Sequence, residues 1–213
     1  MKNLLPTLLA SLFCAGLFAQ TFTLNSHMAG GSTSQDGIRD IVTDANGNTF
    51  VTGYFTGTVD FNPGAGVYNL TTPAGNKYDA FIQKLDANGN LLWAKSFRGT
   101  NDDYEMGENL AVDDSGNVYL QGRFQRNIFF TSTGTQWPGT TDAALDRPFL
   151  VRLDSLGNVK WGLGWQNNSS NGYLFATKIK LDYFGNVYMV GGFTGTVDFD
   201  PTVLSVKSVS SSA

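Results

Sequence analysis

Acidic residues in this 213-residue chain recur in one setting, the spacing Asp-x-x-Gly-Asn. Asp44 precedes Gly47 in this way, Asp86 precedes Gly89, Asp113 precedes Gly116, Asp154 precedes Gly157 and Asp182 precedes Gly185. The copies at Asp44 and Asp86 read Asp-x-Asn-Gly-Asn, which resembles the start of a calcium loop. Calcium takes six to eight oxygen ligands, and the helical calcium loop needs a Glu at its twelfth position. Phe55 and Phe97 stand at that position here. The expected role is therefore a turn: Asp caps it through its side chain and Gly supplies the positive φ. No cofactor is expected, with weak calcium binding at the turns as the alternative. One His (His27) and one Cys (Cys14) cannot build a zinc site or a Cys/His nucleophile pair.

Other residues invite chemistry less strongly. Asp60-Phe-Asn-Pro-Gly and Asp198-Phe-Asp-Pro-Thr place a carboxylate at a bend, where it can accept backbone N–H bonds or face a cation or a sugar. Asp102, Asp103, Glu105 and Glu108 form the densest acidic stretch and read as a solvated loop, with cation binding as the alternative. Trp137, before Pro138-Gly139, is the rim candidate for stacking on a sugar or protein partner. The arginines (Arg39, Arg98, Arg123, Arg126, Arg147, Arg152) fall at unrelated repeat positions and suggest no cluster. No catalytic residues are assigned.

The elements that carry these residues follow from a repeat. Gly47, Gly116 and Gly185 lie 69 residues apart, and Phe55-Thr-Gly-Thr-Val-Asp-Phe61 returns verbatim as Phe193 to Phe199. A second motif, Phe81 to Trp93, matches Phe149 to Trp161. Residues around each turn alternate with period two. Val51, Gly53 and Phe55 share one face, and Phe50, Thr52 and Tyr54 share the other. The first face, apolar or Gly in every copy, is the expected packing face. Each unit thus carries two hairpins, hence four antiparallel strands, and a repeated four-stranded sheet is a propeller blade. The fold class is all-β, a partial array of about two and a half to three blades. Eleven strands are expected, the first at Phe22-Thr-Leu. Long loops, Asn62 to Tyr78 and Thr131 to Arg147, should project from one rim.

Met1-Lys2-Asn3 followed by apolar Leu4 to Ala19 describes a signal peptide. The expected organisation is residues 1–19 as signal peptide and 20–213 as repeat region. Within the latter, 20–31 holds the last strand of a preceding blade, 32–100 unit one, 101–169 unit two and 170–213 a partial unit three. Export to the cell surface or the extracellular space is expected, with no membrane insertion after cleavage. Eighteen acids against fourteen bases give net charge −4, and no Lys/Arg run exists, so nucleic acid is not an expected partner.

The motifs Gly-Asn-x-Tyr-x-x-Gly-x-Phe, Gly-Thr-Val-Asp-Phe and Asp79 to Trp93 resemble the seven-bladed β-propeller repeats of secreted bacterial proteins, of the Bacteroidetes-type SBBP-like kind. That resemblance spans residues 20–213. It implies a secreted or surface binding or scaffold module for a protein or glycan, with no catalytic residues to transfer. It also implies an N-terminal fragment of a larger protein, whose remaining blades complete the ring. A glycan-active or other hydrolytic propeller enzyme and a structural spacer of an adhesin are the alternatives.

Overall fold

The computed structural model describes residues 36–73, 77–99, 103–130, 136–138, 146–165, 173–200 and 207–211. The leader, the Phe22 strand, His27 and Asp102 lie outside them. Strands β1 (Gly37–Thr43), β2 (Thr49–Phe55), β5 (Asp79–Leu85) and β6 (Leu91–Phe97) form a four-stranded antiparallel sheet in the order β1-β2-β5-β6. Strands β7 (Met106–Val112), β8 (Val118–Phe124), β11 (Arg147–Leu153) and β12 (Val159–Gly164) repeat it in the same order. Strands β13 (Leu174–Leu181) and β14 (Val187–Phe193) form half of a third. These are propeller blades, and no helix occurs among the described residues. The first strands β1, β7 and β13 pack successively against one another.

The expected long loops are shorter than the sequence reading suggests. Each opens with a second, two-stranded sheet: β3 (Thr58–Asp60) with β4 (Asn69–Thr71), and β9 (Asn127–Phe129) with β10 (Gln136–Pro138). In the third unit β15 (Thr196–Asp198) pairs with β16 (Ser208–Ser210). Three-residue strands carry too little alternation to be read from sequence. A carboxylate ties two of these hairpins together. Asp60 Oδ1 accepts the N–H groups of Asn62 (2.9 Å) and Tyr68 (2.8 Å), and Asp198 Oδ1 accepts those of Asp200 (3.0 Å) and Lys207 (2.8 Å).

Both sheet faces are packed at the blade junctions, not the single face that alternation suggests. Between blades 1 and 2, Phe50 and Ile82 of one sheet meet Leu110, Leu120, Phe124 and Phe149 of the next. Ile128 and Phe130 of the small hairpin fill the same core. Between blades 2 and 3, Tyr119 and Leu150 meet Ile179 and Val197. A sheet held between two neighbours needs apolar residues on both sides. Trp93 and Trp161, at equivalent positions, serve these two junctions. Trp93 stands edge-on to Phe50, and its Nε1–H donates to the Ser155 carbonyl of the next blade (3.2 Å). Lys84 Nζ donates to the same carbonyl (3.2 Å).

The innermost strands all carry a bulge at one repeat position: Ile38/Asp40, Gly107/Asn109 and Ala176/Lys178. A bulge bends the strand and leaves one residue unpaired. The Leu110 N–H beside the second bulge donates to Asp40 Oδ2 of the preceding blade (2.8 Å), which joins the two first strands. The bulge also brings a carbonyl over the paired glycine. A Cβ at Gly53, Gly122 or Gly191 would overlap the backbone oxygen of Gly37, Met106 or Phe175 respectively.

Candidate functional site

The two rims of the array differ in what their polar groups do. One rim carries the Asp-x-x-Gly-Asn turns. Asp44 Oδ1 accepts the N–H groups of Asn46 and Asn48 (2.9 Å each), and Oδ2 accepts Asn48 Nδ2 (2.8 Å). Asp86, Asp113, Asp154 and Asp182 repeat the pattern. The glycine N–H donates back to the Asp carbonyl, at 2.9–3.1 Å. Gly47, Gly89, Gly116, Gly157 and Gly185 have φ between 74° and 84°, a region that costs other L-residues about 1 kcal/mol or more. Hydrogen bonds to the charged form favour it. Asp154 accordingly lies at about 2, chiefly through the Asn158 N–H. The side chains of Asn90 and Asn186 are the main cause of the lowered values at Asp86 and Asp182. These carboxylates hold the turns.

The opposite rim is where β1, β7, β11 and β13 begin and β2 and β8 end. It holds a cleft of about 710 Å³ lined from three blades. Arg39 comes from β1, Glu108 and Asn109 from β7, Arg123 from β8, Arg147 from β11, and Tyr173 and Phe175 from the start of blade 3. Three of the six arginines, Arg39, Arg123 and Arg147, are therefore brought to one cleft, against the expectation of no cluster. Arg123 is the hub. Its Nη1 donates to Asp146 Oδ2 (2.7 Å), and its Nε lies 3.2 Å from Glu108 Oε1. Gln125 Nε2 donates to the second Asp146 oxygen (2.8 Å). Burial pushes the Glu108 carboxyl up, while Arg123 and Gln121 pull it the other way. Asn109 Nδ2 donates to Gln121 Oε1 (2.6 Å), which fixes both amides in the cleft floor. Tyr173 and Phe175 are more than half exposed at the mouth.

Apart from Tyr173, which aligns with Tyr104, these residues have no counterparts at the same positions of the other blades. Arg39 aligns with Glu108 and Thr177, and Arg147 pairs with Phe124 where Asp79 pairs with Phe55. Repeat arithmetic thus points to the turns and passes over the cleft. The only available signal is that strand starts and strand ends of an up-and-down sheet share one rim.

The acidic stretch is also corrected. Asp103 and Glu105 are fully buried rather than solvated. Glu105 is pushed up to about 9, by burial first and then by Asp79 and Asp103. Asp103 lies 3.5 Å from Arg126. Arg126 has φ 51°, where the matching positions of the other units are Gly57 and Gly195. Trp137 contributes its backbone to β10, paired with Ile128, and its side chain lies outside the described residues. Among the described residues, no group of three or more His, Cys, Asp or Glu side chains is arranged to hold a metal.

No family model matches the chain. Over 160 residues it is 28% identical to an uncharacterized WD repeat-containing protein of Acanthamoeba polyphaga mimivirus. The match covers 72% of this chain and 11% of that protein, so the chain spans about a tenth of the length of the curated relative it matches. The chain is a propeller-like repeat protein.

Proposed function

We propose that the chain is a non-catalytic binding module that meets a protein or glycan at the loop rim, through the cleft between blades 2 and 3. The observation that carries this is the cleft itself. Guanidinium, carboxylate and amide groups from blades 1 and 2 converge with two exposed aromatics of blade 3, and a concave site with convergent polar groups is where ligands bind. Arg123 engages both Glu108 and Asp146, which fits recognition better than hydrolysis by paired carboxylates. In this reading the protein is exported through residues 1–19 and belongs with the secreted bacterial propeller repeats. Further blades of the same repeat cover the outer faces of blades 1 and 3. No cofactor is needed.

The test is a glycan array together with a displayed peptide library, probed with the wild-type protein and with a Tyr173→Ala/Phe175→Ala variant. A loss of tenfold or more on the variant supports the cleft. Equal binding would remove the cleft from the proposal. Turnover of any glycan would favour the enzyme alternative.

A further inference from the structure

The turn rim carries a concavity of its own, about 430 Å³, between the first turns of blades 2 and 3. Asp113 and Asp114 line it from blade 2, and Asp182, Tyr183 and Phe184 from blade 3. Tyr183 and Phe184 are 89% and 84% exposed and stand edge-on, with ring centres 5.6 Å apart. The other turns of this kind carry no aromatic at these positions: they read Ala45-Asn46, Ala87-Asn88, Asp114-Ser115 and Ser155-Leu156. The exposure belongs to the turn tip. Asp114 and Ser115 hold the same positions in blade 2, which has a blade on each side, and both are exposed. A further blade beside blade 3 would therefore leave Tyr183 and Phe184 open as well. Contiguous exposed apolar surface with a polar rim marks a place of interaction.

We propose that this pocket binds an arginine side chain of a protein partner, its guanidinium stacked on the Tyr183 or Phe184 ring and paired with the Asp114 carboxylate. The site is separate from the cleft on the opposite rim and goes beyond the reading of it. Charge complementarity selects the occupant. The described lining holds three carboxylates and no Lys or Arg. Asp113 and Asp182 are taken up by their own turns, where each accepts two backbone N–H groups and an Asn side chain. They act through their field. Asp114 stands beside Asp113, takes no part in holding the turn, and supplies the contact. A guanidinium satisfies both walls of the pocket, because it stacks on an aromatic face and forks onto a carboxylate. An ammonium lacks the planar face, a neutral sugar would use the rings alone, and an acidic ligand would meet three like charges. The backbone beneath the rings is already fixed. The Phe184 N–H donates to Asp182 Oδ1 (2.9 Å) and the Gly185 N–H to the Asp182 carbonyl (3.1 Å), so binding does not have to order the turn.

The experiment titrates the protein with a fluorescent peptide of two arginines flanked by glycines, and with versions carrying lysine or the neutral isostere citrulline instead. Polarisation reads the binding. The expected order is arginine, then lysine, with citrulline at least tenfold weaker than arginine. Asp114→Asn and Tyr183→Ala/Phe184→Ala should each weaken the arginine peptide at least fivefold. All three side chains are exposed, so both variants should keep the fold, which a thermal melt checks. The cleft variant Tyr173→Ala/Phe175→Ala should bind the arginine peptide as the wild type does. Arginine and citrulline peptides that bind alike, or fail to bind at all, would overturn the site. So would wild-type binding by the aromatic variant, which would leave only the attraction of an acidic surface. Loss on the cleft variant alone would move the peptide to the cleft and overturn this site while supporting that one.

Discussion

Ile41, Leu110 and Ile179 occupy one repeat position, yet their fates differ. Leu110 is 4% exposed, Ile179 is 1% and Ile41 is 61%. The pairing is the same in all three: Ile41 faces Val51, Leu110 faces Leu120 and Ile179 faces Met189. Only the neighbour differs. Leu110 and Ile179 lie against a preceding blade, and no blade before β1 stands among the described residues to cover Ile41. The opposite face tells the same story in reverse. Phe50 and Tyr119 are buried, whereas Tyr188 is 58% exposed. Burial in this fold is thus a property of the junction, and no residue owns it by type. Repeat architectures behave this way because each unit's stability includes an interface term with its neighbours.

Paired substitutions test that lesson. Leu110→Ala should cost about 2–5 kcal/mol, the usual range for a buried large-to-small change. In the 213-residue chain alone, without further blades, Ile41→Ala should stay within about 0.5 kcal/mol. Urea unfolding of the two variants compares them directly. Equal losses would mean that Ile41 is covered in solution, and the contrast between inner and outer copies would fail.

Glu105 gives the next largest effect. Its folded value of about 9 lies far above the ordinary 4.5. The folded state therefore keeps a proton that the unfolded chain releases between these values. This contribution to stability is fully present below pH 4.5 and is lost as pH rises towards 9. The slope is at most about 1.4 kcal/mol per pH unit for one proton. Glu105→Gln should flatten the stability profile across that window. A profile unchanged in slope would show that the carboxyl is not the group responsible.

A finer comparison uses two glycines. Gly157 and Gly185 have nearly the same φ, 82° and 80°, in the same kind of turn. A Cβ at Gly157 would lie 2.8 Å from the Trp93 ring of the preceding blade, while nothing lies within 4 Å at Gly185. Gly185→Ala should cost about 1 kcal/mol from backbone strain alone. Gly157→Ala should cost more, and the excess measures the junction. The smallest effect is expected at Asp182→Asn. It removes a charge from an exposed turn and should lower stability only slightly, mainly above pH 4, where the wild-type carboxylate is ionised. Thermal melts at pH 3 and pH 7 would show whether the loss follows ionisation.

Blades were legible in the residues because they rest on local rules. An Asp three residues before a Gly closes a turn wherever it occurs, and period-two alternation marks the strands beside it. The even spacing of Gly47, Gly116 and Gly185 set the unit length. The second packed face was not legible. Thr52 and Gln121 look like solvent residues in a strand, yet both are buried. Thr52 donates to the Phe81 carbonyl (2.5 Å), and Gln121 donates to the Gly122 carbonyl (2.9 Å). The cleft was invisible for a related reason. Arg39, Arg123 and Arg147 stand on three strands of two blades, and nothing local links them. The acids at Asp103 and Glu105 read as a loop because their enclosure comes from residues far along the chain.

The bulge in each innermost strand reaches down to the gene. Gly53, Gly122 and Gly191 each sit beneath a carbonyl oxygen with no room for one more carbon. Every glycine codon begins with two guanines. A point mutation at either of those bases introduces a side chain or a stop. At these three codons, then, only third-base changes leave the backbone undisturbed, and duplicated units that drift apart elsewhere should stay alike there.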